Sequence, residues 1–242
     1  MPVSPTRVRR AVPHRGAARR RSRRSPVPLQ TPSGVVVGTV ALLRRFPLRS
    51  AAGDQPLRAL LLAGGLEHDR RWQLVDASGV PVHRRDAPGI AALTASVGDD
   101  GELHLTGGGA APAEHLAGPG ARFADGAGAS GAGEGERARP DAPVHLVSAG
   151  AAEALLQDDG SLPGGCDPGG RANAVIALDP AVAEPGAERG WVGRRLGIGG
   201  AGGAAGAVLL LTRTPRRCLG VYADVLVTGE VAVGDDVVLL DG

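Results

Sequence analysis

Short apolar runs separated by turn residues make up residues 34–106. The first run, at residues 35–43, is rich in Val and is typical of a β-strand. Hairpin-type residues such as Ser78-Gly79 stand between the later runs. Strands at this spacing predict an antiparallel sheet or barrel. The later runs cover residues 57–62, 72–75, 80–82, 90–97 and 103–105.

Residues 143–242 have the same β-rich pattern with one helix added. Val144 opens a short apolar run, and Ser148 is a suitable N-cap for a helix over residues 149–157. The fold class is therefore mostly β (α+β), with an N-terminal β-barrel-like domain followed by a β-barrel domain holding one or two helices. The further strands are predicted at residues 174–178, 207–212, 220–227 and 231–240.

Two segments lack any apolar period. Residues 107–142 consist almost wholly of Gly, Ala, Pro and charged residues, which predicts a flexible linker or loop between domains at 34–106 and 143–242. Residues 1–33 hold nine Arg and no acidic residue, so we expect a disordered Arg-rich tail there. The tail could bind nucleic acid or an anionic surface, serve as a targeting presequence, or simply be solvated.

Charge is divided unevenly between this tail and the body of the chain. The formal net charge is +2, but the tail carries +9, whereas 18 Arg against 25 acidic residues leave the remainder at −7. Aromatic residues make up 2% of the chain, so the body offers no platform for stacking bases. We therefore expect nucleic acid as a partner only through the tail.

Cysteine usage and hydropathy bear on the compartment. Two cysteines, Cys166 and Cys218, are too few for a disulfide scaffold in a chain of 242 residues. No apolar stretch approaches the roughly 20 residues of a transmembrane helix. The N-terminus also lacks the apolar segment of a secretory signal. These features predict a cytoplasmic protein that does not bind a membrane.

Arginines and small polar residues at strand ends are the first candidates for ligand binding. They are Arg49 and Ser50 after the first strand, Arg70 before the run at Trp72, and the pair Arg171 and Asn173. The planar fork of Arg suits phosphate or carboxylate, and an Asn amide can bond the polar edge of a heterocycle. Each of these residues could equally form a surface ion pair or belong to a turn. No single residue decides between ligand binding and these structural roles.

Cys218 is the candidate for metal or nucleophile chemistry. Arg216 and Arg217 precede it directly and are expected to lower the pKa of its thiol, which favours the thiolate that ligates soft metals. Cys166 stands beside Asp167, whose charge disfavours thiolate. The alternative for Cys218 is an inert, partly buried cysteine, and spacing alone leaves both open.

The familiar catalytic motifs are missing from the sequence. It contains no zinc-binding pair of cysteines or histidines, no phosphate-binding loop with Lys, and no Gly-x-Ser-x-Gly. Residues 197–202 fit Gly-x-Gly-x-x-Gly, but they belong to a Gly/Ala run with no predicted helix after it, so the match is taken as accidental.

The ordered set of candidate residues resembles the MOSC family, named after molybdenum cofactor sulfurase. Residues 34–106 resemble its N-terminal β-barrel domain and residues 143–242 resemble the MOSC domain itself. The order of the motifs carries the resemblance, since none is specific alone. The motifs are Phe46-Pro47-Leu48-Arg49-Ser50, Asp69-Arg70-Arg71-Trp72, His145-Leu146-Val147-Ser148, Arg171-Ala172-Asn173 and Arg217-Cys218.

This resemblance implies that the chain binds the molybdenum cofactor, a molybdopterin. It implies that Cys218 ligates the molybdenum and is the catalytic residue. Pyridoxal phosphate binding is implied as well. The residues implied to hold the pterin and its phosphate are Arg49, Ser50, Arg70, Ser148, Arg171, Asn173 and Arg217.

The resemblance further implies an oxidoreductase that reduces N-hydroxylated or N-oxygenated small molecules. Its electrons would come from a separate flavin or iron–sulfur protein, because the chain lacks the cysteines for a cluster of its own. The alternative is a non-catalytic carrier of cofactor or sulfur that uses Cys218. Many family members have a longer segment after the Arg-Cys pair, whereas Cys218 here leads directly into Leu219 and Gly220, which favours the carrier.

Overall fold

The computed structural model describes residues 34–108, 112–126, 142–157, 171–199, 206–215 and 219–241. The predicted tail at 1–33 lies outside these ranges. The strands are β1 (Gly34–Leu43), β2 (Arg58–Leu62), β3 (Gly65–Leu66), β4 (Trp72–Val75), β5 (Leu93–Val97), β6 (Leu103–Gly107), β7 (Arg122–Asp125), β8 (Val144–Ser148), β9 (Ala174–Leu178), β10 (Arg195–Ile198), β11 (Ala207–Arg213), β12 (Val221–Val227), β13 (Gly229–Ala232) and β14 (Asp236–Leu240). The helices are α1 (Ala113–Ala117) and α2 (Ala149–Gln157), and two 3-10 helices span Pro88–Ala92 and Ala187–Trp191.

Seven strands form a closed barrel in the order β1-β14-β10-β11-β12-β8-β9. β8 and β9 are parallel, while β1 pairs antiparallel with both β14 and β9. Aliphatic side chains fill the interior, and Leu146, Leu209 and Leu211 have no exposed surface. Closure leaves the barrel without a free edge, so its backbone groups are paired around the ring. The mostly β fold with a barrel and few helices is confirmed.

A second apolar core lies outside the barrel. It is built on Leu48, Trp72, Leu74, Ile90 and Leu93, together with small side chains reaching as far as Ala121. Two-stranded sheets, β4-β7 and β5-β6, and helix α1 surround it.

The two cores divide the chain differently from the predicted domains. β1, together with Leu61 and Leu66, belongs to the barrel core with the C-terminal strands. A third small sheet, in the order β13-β2-β3, also joins the two halves of the chain. The boundary expected at residues 107–142 therefore does not separate the cores, because strand pairing crosses it.

The prediction of a structureless segment at 107–142 is wrong for part of that range. Residues 113–117 form α1, and β7 pairs antiparallel with β4, placing Asp125 opposite Trp72. A five-residue helix is too short to form on its own, so its packing on the second core must stabilise it. Residues 109–111 and 127–141 lie outside the described residues.

Other differences from the predicted elements have local causes. The run at 90–97 divides into a 3-10 helix and β5, and the run at 80–82 makes one isolated bridge, between Val75 and Pro81, instead of a strand. β10 was missed because Gly197 and Gly199 interrupt the apolar pattern. The glycine motif at 197–202 thus begins inside a barrel strand.

An ion pair anchors the segment that follows β1. Arg45 donates to both carboxylate oxygens of Asp54, at 3.1 and 2.6 Å, and the two side chains are 14% and 19% exposed. Because the pair is two-pronged and mostly buried, Asp54→Ala should lower the free energy of unfolding by about 2 kcal/mol in urea denaturation. In the exposed pair of Arg85 with Asp86, Asp86→Ala should cost less than about 0.5 kcal/mol. Equal losses in the two variants would contradict this ranking.

Candidate functional site

Two chain segments, 44–50 and 66–72, are bound together around Phe46. Asp69, which is buried, accepts the Phe46 N–H on Oδ1 at 2.7 Å, and the Arg70 N–H donates to the Phe46 carbonyl at 2.7 Å. The Trp72 N–H donates to the Pro47 carbonyl at 2.9 Å. In the Asp-Arg pair of the sequence motif, Asp69 is therefore buried and has a structural role, whereas the side chain of Arg70 is partly exposed.

Backbone strain is concentrated in this pair of segments. Ser50, His68 and Arg70 have φ values of 74°, 62° and 57°, and within the described residues these are the non-glycine residues with positive φ. Each such residue costs on the order of 1–3 kcal/mol and persists only where surrounding contacts fix it. Strain of this kind clusters at functional sites, so the segment pair is the best-marked candidate in the described structure.

Arg171 comes to the same place from the start of β9. Its guanidinium carbon lies 5.9 Å from the centre of the Phe46 ring, and its side chain is exposed whereas the ring is buried. Arg49 lies on the segment pair as well, since its N–H donates to the Trp72 carbonyl at 2.9 Å, and its side chain is exposed. Two of the predicted arginines, Arg70 and Arg171, therefore contact Phe46, and the third, Arg49, lies on the same pair of segments.

Asn173 has a different environment from the one predicted for a cofactor ligand. It is fully buried; its Oδ1 accepts the His145 N–H at 3.1 Å and its Nδ2 donates to the Arg44 carbonyl at 3.3 Å. The amide thus joins the end of β1 to the starts of β8 and β9. In this structure both of its polar groups hold the backbone that carries Arg171.

Ser148 lies apart from these residues. It is three residues along β8 from His145, which is about 10 Å in a strand. Its hydroxyl oxygen accepts the Gly186 N–H at 2.8 Å, and its own N–H donates to Glu188 Oε1 at 3.1 Å. The side chain is 1% exposed, so the described structure does not group it with Arg171.

Sequence reasoning missed Glu188 altogether. It is 1% exposed, and its second carboxylate oxygen, Oε2, has no hydrogen-bond partner in the part of the chain that the structure describes. Its sequence setting, Pro185-Gly186-Ala187-Glu188, is typical of an exposed turn. Only the tertiary structure could show that this acid is buried against the end of β8.

Arg217, Cys218 and Cys166 lie outside the described residues. Leu219, which follows Cys218 in the chain, is described, and it packs against Val147, Ala172 and Val175 on the outer face of β8 and β9. Its carbonyl oxygen lies 2.7 Å from His145 Nε2. His145 thus contacts both predicted site segments, Asn173 through its backbone and Leu219 through its side chain. The sequence placed His145 in the motif His145-Leu146-Val147-Ser148 but assigned no role to its side chain.

The described residues hold no other candidate centre. They contain no group of three or more His, Cys, Asp or Glu side chains placed to hold a metal ion. Among them, no helix is both long and apolar enough to cross a membrane. The Glu102 N–H lowers the pKa of Asp100, but that carboxylate is fully exposed in the turn between β5 and β6.

The N-terminal part of the chain is similar to a known family of domains. Residues 37–130 match the model of the MOSC N-terminal beta barrel domain, a range that includes α1 and β7 beyond the predicted boundary at 106. No curated protein sequence matches the chain. Among solved structures, the YUAD protein from Bacillus subtilis is similar at 12% identity and a TM-score of 0.43, over 83% of this chain and 94% of that one. The match covers 94 of the 242 residues, and it agrees with the resemblance to this N-terminal domain that the sequence predicted for residues 34–106.

Proposed function

We propose that the chain binds a molybdopterin-type molybdenum cofactor beside the segment pair 44–50 and 66–72. MOSC domains are associated with this cofactor, and residues 37–130 match the family's N-terminal domain. The observation that carries the proposal is the exposed Arg171 side chain over the ring of Phe46, whose carbonyl accepts the N–H of Arg70, a residue with positive φ. Strain retained beside exposed arginines is expected of a site organised for a ligand.

The donor chemistry of these residues fits the cofactor. Guanidinium forks bind phosphate in pairs of hydrogen bonds, and Arg49, Arg70 and Arg171 all have solvent-accessible side chains. Half-buried Ser50 adds a hydroxyl on the same segment. We assign Arg217 and Cys218 to the metal end of the cofactor on the basis of the family resemblance. When bound, the molybdenum would supply two-electron redox chemistry, while the protein orients it.

Two residues of the predicted set take different roles in this proposal. Asn173 is buried and bonded to backbone groups, so it supports the site without touching the cofactor, whereas Ser148 is buried apart from the site and bonded to Gly186. Pyridoxal phosphate binding stays a prediction. All 27 basic residues are Arg, so the chain has no lysine amine to which that cofactor could attach covalently.

The reaction we propose is reduction of N-hydroxylated or N-oxygenated small molecules, with electrons from a separate flavin or iron–sulfur protein. The carrier alternative rests on one specific observation. Leu219, the residue that follows Cys218, packs directly on β8 and β9. The chain therefore has no extra segment at this point that could form a wall of a substrate pocket.

The test is metal and pterin analysis of the protein purified from cells that make the cofactor. About one molybdenum and one pterin per chain are expected for a site of the proposed type. Protein purified from such cells without bound molybdenum would contradict the proposal. An assay with an artificial electron donor and a hydroxylamine then separates enzyme from carrier, since only the enzyme turns over.

Arg171→Ala should lower cofactor retention by about tenfold, because one charge-assisted phosphate contact is lost while others remain. Bound pterin, measured by fluorescence after release, is the readout. Arg84→Ala is the matched control, since Arg84 is also exposed but is not among the residues around Phe46. If the control loses as much pterin as Arg171→Ala, the site has been misplaced.

A further inference from the structure

Arg71, the neighbour of Arg70 in the chain, makes several side-chain bonds that the proposed function does not use. Its Nε donates to Asp125 Oδ2 at 2.8 Å, and its Nη1 donates to the Gly101 carbonyl at 3.4 Å. Its guanidinium carbon also lies 4.6 Å from the centre of the Trp72 ring, which is buried. Arg71 therefore connects its own segment to the end of β7 and to the turn between β5 and β6.

Arg71 also closes the turn that contains the strained residues His68 and Arg70. Its Nη1 lies 3.2 Å from His68 Nδ1, and because a guanidinium group can only donate, Nδ1 is the acceptor. Its N–H donates to the His68 carbonyl at 3.3 Å, and its carbonyl accepts the Gly126 N–H at 2.6 Å. Residues with φ of 62° and 57° keep that conformation only where surrounding contacts fix it. The bonds of Arg71 are therefore part of what holds both residues at positive φ.

The backbone conformation of Arg70 decides where its side chain lies. Its Nε is 3.9 Å from Asp69 Oδ2, and Oδ1 of the same carboxylate accepts the Phe46 N–H at 2.7 Å. The Arg70 side chain is thus held beside the carboxylate that binds the segment 44–50. A return of φ to the usual negative range would turn the Cα–Cβ bond of Arg70 out of its present direction. The guanidinium group would then no longer be held beside Asp69.

We propose that Arg71 is a positioning residue for Arg70. Its bonds to the neighbouring segments keep the Arg70 backbone at positive φ, so that the Arg70 guanidinium is held in one place before any ligand arrives. Preorganisation of this kind raises ligand affinity because less freedom is lost on binding. The inference rests on the proposed role of Arg70 in binding the cofactor phosphate, but the state of the Arg70 backbone can be measured without the cofactor.

The experiment compares Arg71→Ala with the wild type in the full chain. The readouts are the hydrogen-exchange rate of the Arg70 N–H in cofactor-free protein and, separately, the pterin retained by protein from cofactor-competent cells. We expect Arg71→Ala to raise the exchange rate by about tenfold and to lower retained pterin by about fivefold. Arg84→Ala is the matched control, because Arg84 is exposed and lies outside the turn, and it should leave both readouts within about twofold of the wild type.

A double-mutant cycle separates positioning of Arg70 from general stabilisation of the fold. If Arg71 acts through Arg70, Arg71→Ala should lower retained pterin by about fivefold in the wild-type background but by less than about twofold in the Arg70→Ala background. A residue that only stabilises the fold would lower retained pterin by the same factor in both backgrounds. Equal factors would therefore overturn the inference, as would an Arg70 N–H exchange rate that Arg71→Ala leaves unchanged.

Variants of Asp125 cover the case in which Arg71→Ala does not fold. Asp125→Ala removes the acceptor for Arg71 Nε, whereas Asp125→Asn keeps an oxygen at that position. We expect Asp125→Ala to raise the Arg70 N–H exchange rate by about fivefold and Asp125→Asn to stay within about twofold of the wild type. The same exchange rate in both variants and the wild type would contradict the inference. Absence of pterin from the wild type would instead remove the proposed function and leave the exchange comparison standing.

Discussion

Cys218→Ala should lower bound molybdenum by at least about a hundredfold, whereas Cys166→Ala should leave it within about twofold of the wild type. Loss of a supporting residue alone costs metal sites about 10–100-fold, and loss of the ligand itself should cost more. The asymmetry follows from charge: two arginines precede Cys218, while Asp167 follows Cys166. The measurement is molybdenum by elemental analysis and pterin by fluorescence in protein from cofactor-competent cells.

The arginine variant provides an internal ranking for this prediction. Arg171→Ala should lose less molybdenum than Cys218→Ala, because the phosphate is shared among several guanidinium groups and the metal–thiolate bond is not shared. Both cysteine variants should unfold at urea concentrations close to that of the wild type if the loss is one of ligation and not of folding. Equal loss of molybdenum in the two cysteine variants would mean that both sulfurs act together or that the site lies elsewhere.

Gly220→Ala should lower the free energy of unfolding by about 4 kcal/mol. Gly220 has a φ of +80°, a left-handed conformation that costs a residue with a Cβ about 1–2 kcal/mol. A Cβ at this position would also overlap the carbonyl oxygen of Leu146 on β8, and neither backbone can move without separating two barrel strands. Overpacking of this kind adds about 1–3 kcal/mol. Because Leu219 is the preceding residue, the same change should reduce molybdenum retention.

Gly101→Ala is the matched control for that variant. Gly101 has nearly the same φ, +78°, but a Cβ built there meets no atom within 4 Å. Its cost should therefore be the conformational part alone, about 1 kcal/mol in urea denaturation. A Gly220→Ala protein that is no less stable than Gly101→Ala would refute the argument from close approach of the two strands.

Several elements of this fold follow from the local sequence. The helix at residues 149–157 and the strand at 174–178 were predicted with their observed bounds. Ser148 before the helix and the adjacent β-branched residues Val175 and Ile176 in β9 are local signals, and local signals can be recognised in the sequence alone. The order of the motifs also sufficed to predict the N-terminal domain that residues 37–130 match.

The partners of these elements could not be predicted in the same way. β1 was recognised as a strand, but its neighbours β14 and β9 come from the other half of the chain, and no pattern within residues 34–43 specifies them. The same reason explains the error at 107–142. α1 and β7 have weak patterns of their own and are stabilised by packing on the second core.

The candidate site shows the same division at the level of side chains. Residue type by itself marked Arg49, Arg70 and Arg171 as ligands for an anion, because the chemistry of a guanidinium group does not depend on its neighbours. Whether a polar side chain is accessible to a ligand does depend on its neighbours. Only the tertiary structure shows that Asn173 and Ser148 bond to backbone groups, that Glu188 is buried and that His145 bonds to Leu219. The reason is that burial and hydrogen-bond partners depend on residues distant in sequence.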